Sequence, residues 1–360
     1  MIKKYAIIER KGIIMENKTY YDGTKLLSLK DINGNTPELY ICTSNRSAGK
    51  TTYFGRLCVN RFFKYNEKFC LIYRYQYELD DCADKFYKDI SGLFFPGTIM
   101  ESKRRANGIF HELNIDGKPC GYAVSLNSAD QLKKYSHLLS DVQRMIFDEF
   151  QSETNRYCTG EIKKFLSVHT SVARGQGKQI RYVPVFMISN PVSLINPYYT
   201  ELGISSRLND QVKFLRGDGF VLEQGFNQNA SEAQKLSGVN RAFAKNEYTD
   251  YASEGVYLND NAAFVENPEG RSRYIATLKY GGNNYAIREY ADYGFMYCDD
   301  RPDNSFRFKI TVTTEDHDIN YVMLKNNSLF VSTMRYYFEK GCFRFKNLAC
   351  KEALLKTISY

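Results

Sequence analysis

Residues 44–52 read Ser-Asn-Arg-Ser-Ala-Gly-Lys-Thr-Thr, and the fold turns on how this stretch is read. Before it, Glu38–Cys42 (ELYIC) has the character of a short strand, set off by Pro37 and by the Asn33-Gly34 turn. After it, apolar residues recur at Tyr53, Phe54, Leu57, Cys58, Phe62 and Phe63, which is helical spacing. A strand, a loop and a helix in this order, with Gly49-Lys50-Thr51 at the loop's end, fit a phosphate-binding loop in which Ser44 replaces the first glycine. Each residue type has a chemical reason. Gly49 lets backbone amides approach phosphate oxygens. Lys50 places a point charge on the β- and γ-phosphates, and the Thr51 hydroxyl suits Mg²⁺. The helix N-terminus adds its partial positive charge. The expected ligands are therefore ATP and Mg²⁺, held by Arg46, Ser47, Ala48, Gly49, Lys50, Thr51 and Thr52.

A nucleotide hydrolase needs a carboxylate pair beside such a loop. Arg144–Phe150 (RMIFDEF) is an apolar strand ending in two acids. Asp148 at its tip is placed to hold Mg²⁺ with Thr51, and Glu149 to polarise the attacking water. A third apolar strand, Tyr182–Ser189, ends at Asn190 ahead of Pro191. A polar group there is placed to sense the γ-phosphate, while an Asn-Pro turn is the plainer reading. Stabilising the transferring phosphoryl group also calls for a cation, often supplied by a neighbouring subunit. Arg174, in the glycine-flanked loop after Val172-Ala173, is the candidate; Arg181 and Arg156 are its rivals.

Working outward, Lys68–Arg74 reads as a strand, Tyr77–Ile90 as a helix, Ile109–Glu112 and Tyr122–Leu126 as short strands, and Val212–Gln224 as one or two more. Strands alternating with helices over the first two-thirds predict an α/β domain with a parallel sheet, residues 1–228. Asn227–Tyr257, rich in Asn, Ala, Ser and Glu, reads as short helices, and residues 229–266 are expected to form a helical linker. Residues 267–360 turn strand-like: Arg273–Tyr280, a Gly281–Asn284 hairpin and Phe306–Thr314, then helices at Ser332–Tyr337 and Leu348–Thr357.

Composition sets the limits. The chain has 360 residues, 43% hydrophobic and 25% charged, which suits globular domains. Its longest apolar run, Val183–Ile188, is far below the ~20 residues of a membrane span. The opening MIKKYAIIERKG loses its apolar character at Glu9, so no signal peptide is expected. Nine scattered cysteines without a CxxC pair predict reduced thiols, and the four histidines lack metal-ligand spacing. Net charge is +8. From Lys325 onward seven basic residues face only Glu339 and Glu352, a local excess that suits a polyanionic partner.

Four features together resemble one family, the DNA-packaging motor ATPases of small tailed bacteriophages, relatives of large terminase subunits. They are Arg46 as third residue of the loop, Met145–Phe150 as the acid motif, Ser189-Asn190-Pro191 as a coupling motif, and Tyr122–Leu139 ahead of the acid motif. The resemblance implies an ASCE/RecA-like P-loop NTPase followed by the helical linker and an α+β RNase H-like domain lacking nuclease residues, one that binds nucleic acid or the portal. It implies a homo-oligomeric ring, pentameric in the family, at the portal (connector) protein of a procapsid in the host-cell cytoplasm. It implies duplex DNA as cargo and, in some relatives, a packaging RNA. Lys103, Arg104 and Arg105, read as a loop, with Lys133 and Lys134 behind them, are the DNA-contacting candidates. In the last domain Asp299-Asp300 and Glu315–Asp318 lie in turn-like text, and Arg273–Tyr280 carries no acid. Two other readings stand: a complete terminase whose acid clusters cut DNA through metal ions, and a P-loop ATPase that is not a motor.

Overall fold

The computed structural model describes residues 20–154, 156–194, 196–204, 207–208, 212–254, 263–311, 313–323 and 327–358. The expectations for the opening residues and for Lys325 lie outside these. Contacts group the chain into two compact units, 1–150 with 163–191 and 210–256, and 151–162 with 192–209 and 257–360.

The first unit is ordered as α1 (Thr24–Ser28), β1 (Leu39–Thr43), α2 (Lys50–Tyr65), β2 (Lys68–Tyr73), α3 (Cys82–Phe94), β3 (Met100–Arg105), β4 (Phe110–Ile115), β5 (Lys118–Ser125), α4 (Ala129–Leu132), β6 (Val142–Asp148), α5 (Glu161–Ala173) and β7 (Val185–Ser189). After α6 (Pro197–Glu201), which lies in the second unit, come β8 (Phe214–Gly217), β9 (Phe220–Gln224), α7 (Gln228–Leu236), α8 (Gly238–Ala242) and α9 (Glu247–Glu254). Its nine-stranded sheet has the order β3-β4-β5-β2-β6-β7-β1-β9-β8. The six strands from β5 to β9 in that order run parallel, and β4, β3 and β8 add antiparallel edges.

Parallel strands with both faces covered read as unbroken apolar runs, which is why LYICT and VFMIS are buried along almost their whole length. On one face α2 and α3 bury Phe54, Cys58, Phe62, Phe86 and Ile90 against Phe69, Leu71, Ile146 and Phe186. A fully buried aromatic of this kind contributes on the order of 2–3 kcal/mol. Gly55 permits the close approach of the two helices: a Cβ there would sit 2.4 Å from Ile90 Cδ1. The topology matters most for the site. β7 lies between β1 and β6, pairing Thr43 with Ser189 and Asp148 with Ile188, so the loop, Asn190 and the acid pair meet along one carboxyl edge.

The second unit carries a six-stranded sheet. Its elements are β10 (Arg273–Tyr280), β11 (Asn283–Tyr290), β12 (Phe295–Asp299), β13 (Lys309–Thr311), β14 (Val322–Met323), α10 (Ser328–Glu339), β15 (Phe343–Phe345) and α11 (Leu348–Ile358), in the sheet order β14-β13-β10-β11-β12-β15. An antiparallel meander, β10-β11-β12, is continued past β10 by two parallel strands and past β12 by the parallel strand β15. Leu278, Ile287, Met334, Phe338, Phe345 and Leu354 form its core.

The structure departs from the sequence reading in several places. Lys103–Arg105 are not a loop; they end the edge strand β3, paired with Glu112, His111 and Phe110 of β4. Charged side chains are tolerated there because an edge strand faces water. Among the described residues of Phe306–Thr314, Lys309–Thr311 pair as a strand, because a ladder needs a neighbour and β10 offers one over three residues. The short helices expected from 229 onward form, but α7–α9 pack within the first unit rather than standing as a linker. The second unit also takes in residues 151–162 and 192–209. All nine cysteines are free thiols, eight of them buried. Among the described residues no helix is long and apolar enough to cross a membrane.

Candidate nucleotide site

The chain leaves β1 at Thr43 and turns through Ser44–Gly49 into α2. The turn uses left-handed backbone at Ser47 (φ 60°) and Gly49 (φ 92°), not at Ser44. Glycine is therefore required at 49, where a Cβ would also come within 3.1 Å of the Tyr20 ring. At 44 a side chain costs nothing, and the serine contributes one. Lys50 Nζ donates to Ser44 Oγ (3.1 Å), Ser44 O (2.9 Å), Asn45 O (3.3 Å) and Asn190 Oδ1 (3.1 Å). These four acceptors are neutral. Burial drives the Lys50 ammonium below its ordinary range, and the nearby acidic groups only partly restore it.

Opposite it, Thr51 Oγ1 donates to Asp148 Oδ2 at 2.8 Å. Burial pushes the Asp148 carboxyl up, against the Thr51 hydroxyl and the Lys50 charge, which pull it down. A buried cation on the loop, and a half-buried carboxylate at the tip of β6 that is bonded to the next loop residue, Thr51, fit a phosphate on the first and a divalent metal on the second. Glu149 follows with its backbone in the left-handed region (φ 54°). That conformation is held from both sides: Asp148 Oδ1 accepts the Glu149 N–H (3.0 Å), and Arg74 donates to the carbonyls of Glu149 (3.2 Å) and Phe150 (2.8 Å). A cleft of about 170 Å³ opens beside the pair, lined among others by Thr51, Tyr73, Arg74, Glu78, Lys85, Asp148 and Glu149.

Thus Lys50, Thr51, Asp148, Glu149 and Asn190 are brought together. Arg46, Ser47 and Ala48 form the loop's outer wall, with Ala48 O accepting from Tyr21 N (2.7 Å), and Thr52 continues α2. The wall is itself covered by the helices after β9. Asn227 and Asn45 exchange two hydrogen bonds (2.9 and 3.0 Å), and Gln234 donates to Ser47 Oγ (3.1 Å). Arg46 bonds the Tyr248 hydroxyl through its side chain and Ala252 O through its backbone N–H. Sequence reasoning missed this cover, because nothing local to 227–254 announces what it packs on. It also missed Arg74, for which a signal existed: a cation at the tip of the strand read from Lys68.

The arginine candidates separate. Arg181 is buried and donates to Val142 O (2.9 Å) and Val172 O (2.7 Å), a structural role that removes it as a rival. Arg174 is exposed directly after α5, where Gly175 and Lys178 pair across a tight turn, and Arg156 is exposed in the second unit. Lys103, Arg104 and Arg105 are exposed on β3, Arg105 paired with Glu112 at 3.0 Å; Lys133 and Lys134 follow α4, Lys133 paired with Asp130 at 2.8 Å.

In the second unit the acid clusters have partners. Asp299 ends β12 rather than lying in a turn, and it binds Arg288 Nε at 2.7 Å. Asp300 pairs with Lys346. Asp316 accepts from the N–H groups of Gly281 (2.8 Å) and Gly282 (2.7 Å) and from the Thr313 hydroxyl (2.8 Å), which pins the hairpin. The basic tail is largely internal as well: Lys346 and Lys356 pair with Asp300 and Glu201, Arg335 bonds Ile358 O, and Lys351 is buried against Ser193. Two of the tail's basic side chains, Lys346 and Lys356, are thus paired with acids of their own unit, while Lys340 is exposed.

Comparison with known proteins agrees with this architecture. The chain is 26% identical over 337 residues to the DNA packaging protein of Bacillus phage phi29, covering 92% of this chain and 95% of that protein. Its fold resembles a chain of the bacteriophage phi29 viral genome packaging motor assembly, with TM-score 0.51, 22% identity, and 95% and 98% of the two chains covered. It also resembles the Phi-28 gp11 DNA packaging motor, with TM-score 0.57, 16% identity, and 95% and 96% covered. The sequence profile of the Podovirus DNA encapsidation protein (Gp16) family matches residues 15–358, and the chain belongs to that family.

Proposed function

We propose that this protein is the ATPase of a viral DNA-packaging motor, hydrolysing ATP to drive double-stranded DNA into a procapsid. The observation that carries the reading is the convergence of Lys50, Asn190 and the Thr51–Asp148 pair along one sheet edge, with β7 between the loop strand and the acid strand. Family membership and the packaging role of its relatives support the cargo. In this reading the loop amides and Lys50 hold the β- and γ-phosphates. Thr51 and Asp148 hold Mg²⁺, which when bound neutralises charge on the transferring phosphoryl group. Glu149 takes the proton of the attacking water. Asn190, bonded to Lys50, registers the loss of the γ-phosphate.

The exposed position of Arg174 after α5 suits a group presented to a neighbouring subunit's site, completing a homo-oligomeric ring docked at the portal in the host cytoplasm. Lys103, Arg104 and Arg105, with Lys133 and Lys134, are the proposed DNA contacts; Arg105 and Lys133 contribute less because Glu112 and Asp130 already pair with them. A five-membered ring and a packaging RNA follow from the family resemblance alone. The second unit is a portal- or nucleic-acid-binding module without nuclease chemistry, a reading supported by the ion pairs and backbone bonds that occupy Asp299, Asp300 and Asp316.

The test is ATP turnover with and without duplex DNA in the presence of portal and procapsid. Lys50→Ala should abolish turnover, and Glu149→Gln should retain ATP while cutting hydrolysis at least 100-fold, the scale of losing a general base. Turnover in Lys50→Ala equal to the parent, or no response to DNA, would sink the reading. DNA cleavage with Mg²⁺ or Mn²⁺ that disappears in Asp316→Ala would favour the complete terminase instead.

A further inference from the structure

The chain passes into the second unit directly after Phe150, and it does so again directly after Pro191. The first exit comes one residue past Glu149, the proposed general base, and the second one residue past Asn190, which is bonded to Lys50. Both exits are tied by one side chain. Gln151 is fully buried. Its Oε1 accepts the backbone N–H groups of Val192 (3.1 Å) and Ser193 (2.9 Å), and its Nε2 donates to the Tyr199 hydroxyl (3.3 Å). Further bonds tighten the same cluster. Asn196 Nδ2 donates to Ser193 O (3.0 Å), and Asn196 Oδ1 caps α6 by accepting from Tyr198 and Tyr199 N–H. Lys351 Nζ of α11 donates to Ser193 Oγ (2.8 Å).

We infer that Gln151 is a positioning residue for hydrolysis: by joining the exit after Glu149 to the exit after Asn190, it fixes the backbone from which the water-activating carboxylate and the phosphate-sensing amide both project. The inference rests on the ATPase reading above. The physical need is visible at Glu149, whose left-handed backbone must be held by its surroundings. Asp148 and Arg74 hold its near side. Gln151 holds the chain two residues on, through bonds that cannot be exchanged for water because the cluster is buried. Its side chain satisfies amides of the other exit, not of its own, so a shift at either exit strands two buried donors. Adjacency in the sheet then makes the two reactive groups move as one: β6 and β7 are neighbours and leave the sheet at the same edge.

Full-length protein decides the matter with Gln151→Met, which keeps length and loses every hydrogen bond, Gln151→Glu, which keeps the acceptor and lets Tyr199 donate, and Tyr199→Phe. Steady-state ATP turnover, binding of a fluorescent non-hydrolysable ATP analogue, and thermal melting are measured on each. The expected result is a fall of about 10-fold or more in kcat for Gln151→Met, with KM and analogue affinity within 2-fold of the parent. Gln151→Glu should recover kcat to within about 3-fold, and Tyr199→Phe should lose about 3-fold. Parent-like kcat in Gln151→Met overturns the inference. So does an equal loss of kcat and analogue binding that Gln151→Glu does not recover, which would mark a merely structural role. Should Gln151→Met fail to fold, Tyr199→Phe decides, and parent-like kcat there overturns the inference. Lys50→Ala run alongside separates the two claims: if it abolishes turnover while Gln151 variants do not alter it, only the role of Gln151 falls.

Discussion

At position 44 a serine stands where the phosphate-loop pattern has glycine, and the geometry explains why this is tolerated. The loop makes its left-handed turns at Ser47 and Gly49, so position 44 needs no glycine, and its hydroxyl is one of four oxygens receiving the Lys50 ammonium. Ser44→Gly should therefore weaken the site, not restore it. Losing one bond to a buried charge that keeps three others costs about 0.5–1.5 kcal/mol, the range of an ordinary hydrogen bond and below that of a sole bond to an ion. Nucleotide titration should show affinity reduced several-fold or less, and tighter binding in the glycine variant would contradict the account. Lys50, Thr51, Asp148 and Glu149 were legible because their chemistry is written in a fixed local pattern. Gln151 was not, since a lone glutamine after an acid motif has no signature until its partners, 41 and 42 residues away, are in place.

Among elements, the helices α7–α9 changed meaning most. Their formation follows from local signals, such as the Asn227 side chain that accepts from Ala230 N–H and caps α7. Their place on the phosphate loop does not. Asn227→Ala removes that cap, worth about 1 kcal/mol. The backbone bonds between Asn227 and the Asn45 side chain can persist. Melting should therefore drop by an amount matching the cap alone, whereas Asn45→Ala, which severs both bonds to Asn227, should also weaken nucleotide binding.

A second junction, between α5 and the start of β1, responds to pH. His169 Nε2 lies 3.0 Å from Val183 O and 3.5 Å from Glu38 Oε1, and Glu38 Oε1 also accepts Val183 N–H at 2.7 Å. Burial alone would lower the His169 imidazole, but the Glu38 carboxylate and the Val183 carbonyl outweigh it and raise it. A raised histidine contributes stability that is fully present below its unfolded value near 6.5 and lost as pH climbs through the folded one. The melting temperature of the parent relative to His169→Gln should therefore be higher at pH 6 than at pH 8.5. An unchanged difference between the two would refute the pairing.

At the scale of the whole molecule, two units carry separate cores, so damage to one core reads out on that unit. Leu354 is fully buried in the second core, among Leu278, Ile287 and Phe345. Leu354→Ala should destabilise that unit by roughly 2–5 kcal/mol, the range for buried leucines. Calorimetry should show one transition shifted down and the other retained. A single transition lowered as a whole would mean that the units unfold together.

The sequence by itself determined the phosphate loop, the acid pair, the strand-helix alternation and the strand-rich final third, because each is encoded in spacing over a few residues or in apolar periodicity. Tertiary structure alone decided which strand lies between loop and acids, that Lys103–Arg105 end an edge strand, and that Lys346 and Lys356 of the basic tail pair with Asp300 and Glu201. It also decided that residues 151–162 and 192–209 belong with the C-terminal sheet. Those outcomes depend on pairings between residues far apart in the chain, and a hydrogen bond or ion pair closed across 150 residues leaves no mark in the local pattern from which a sequence is read.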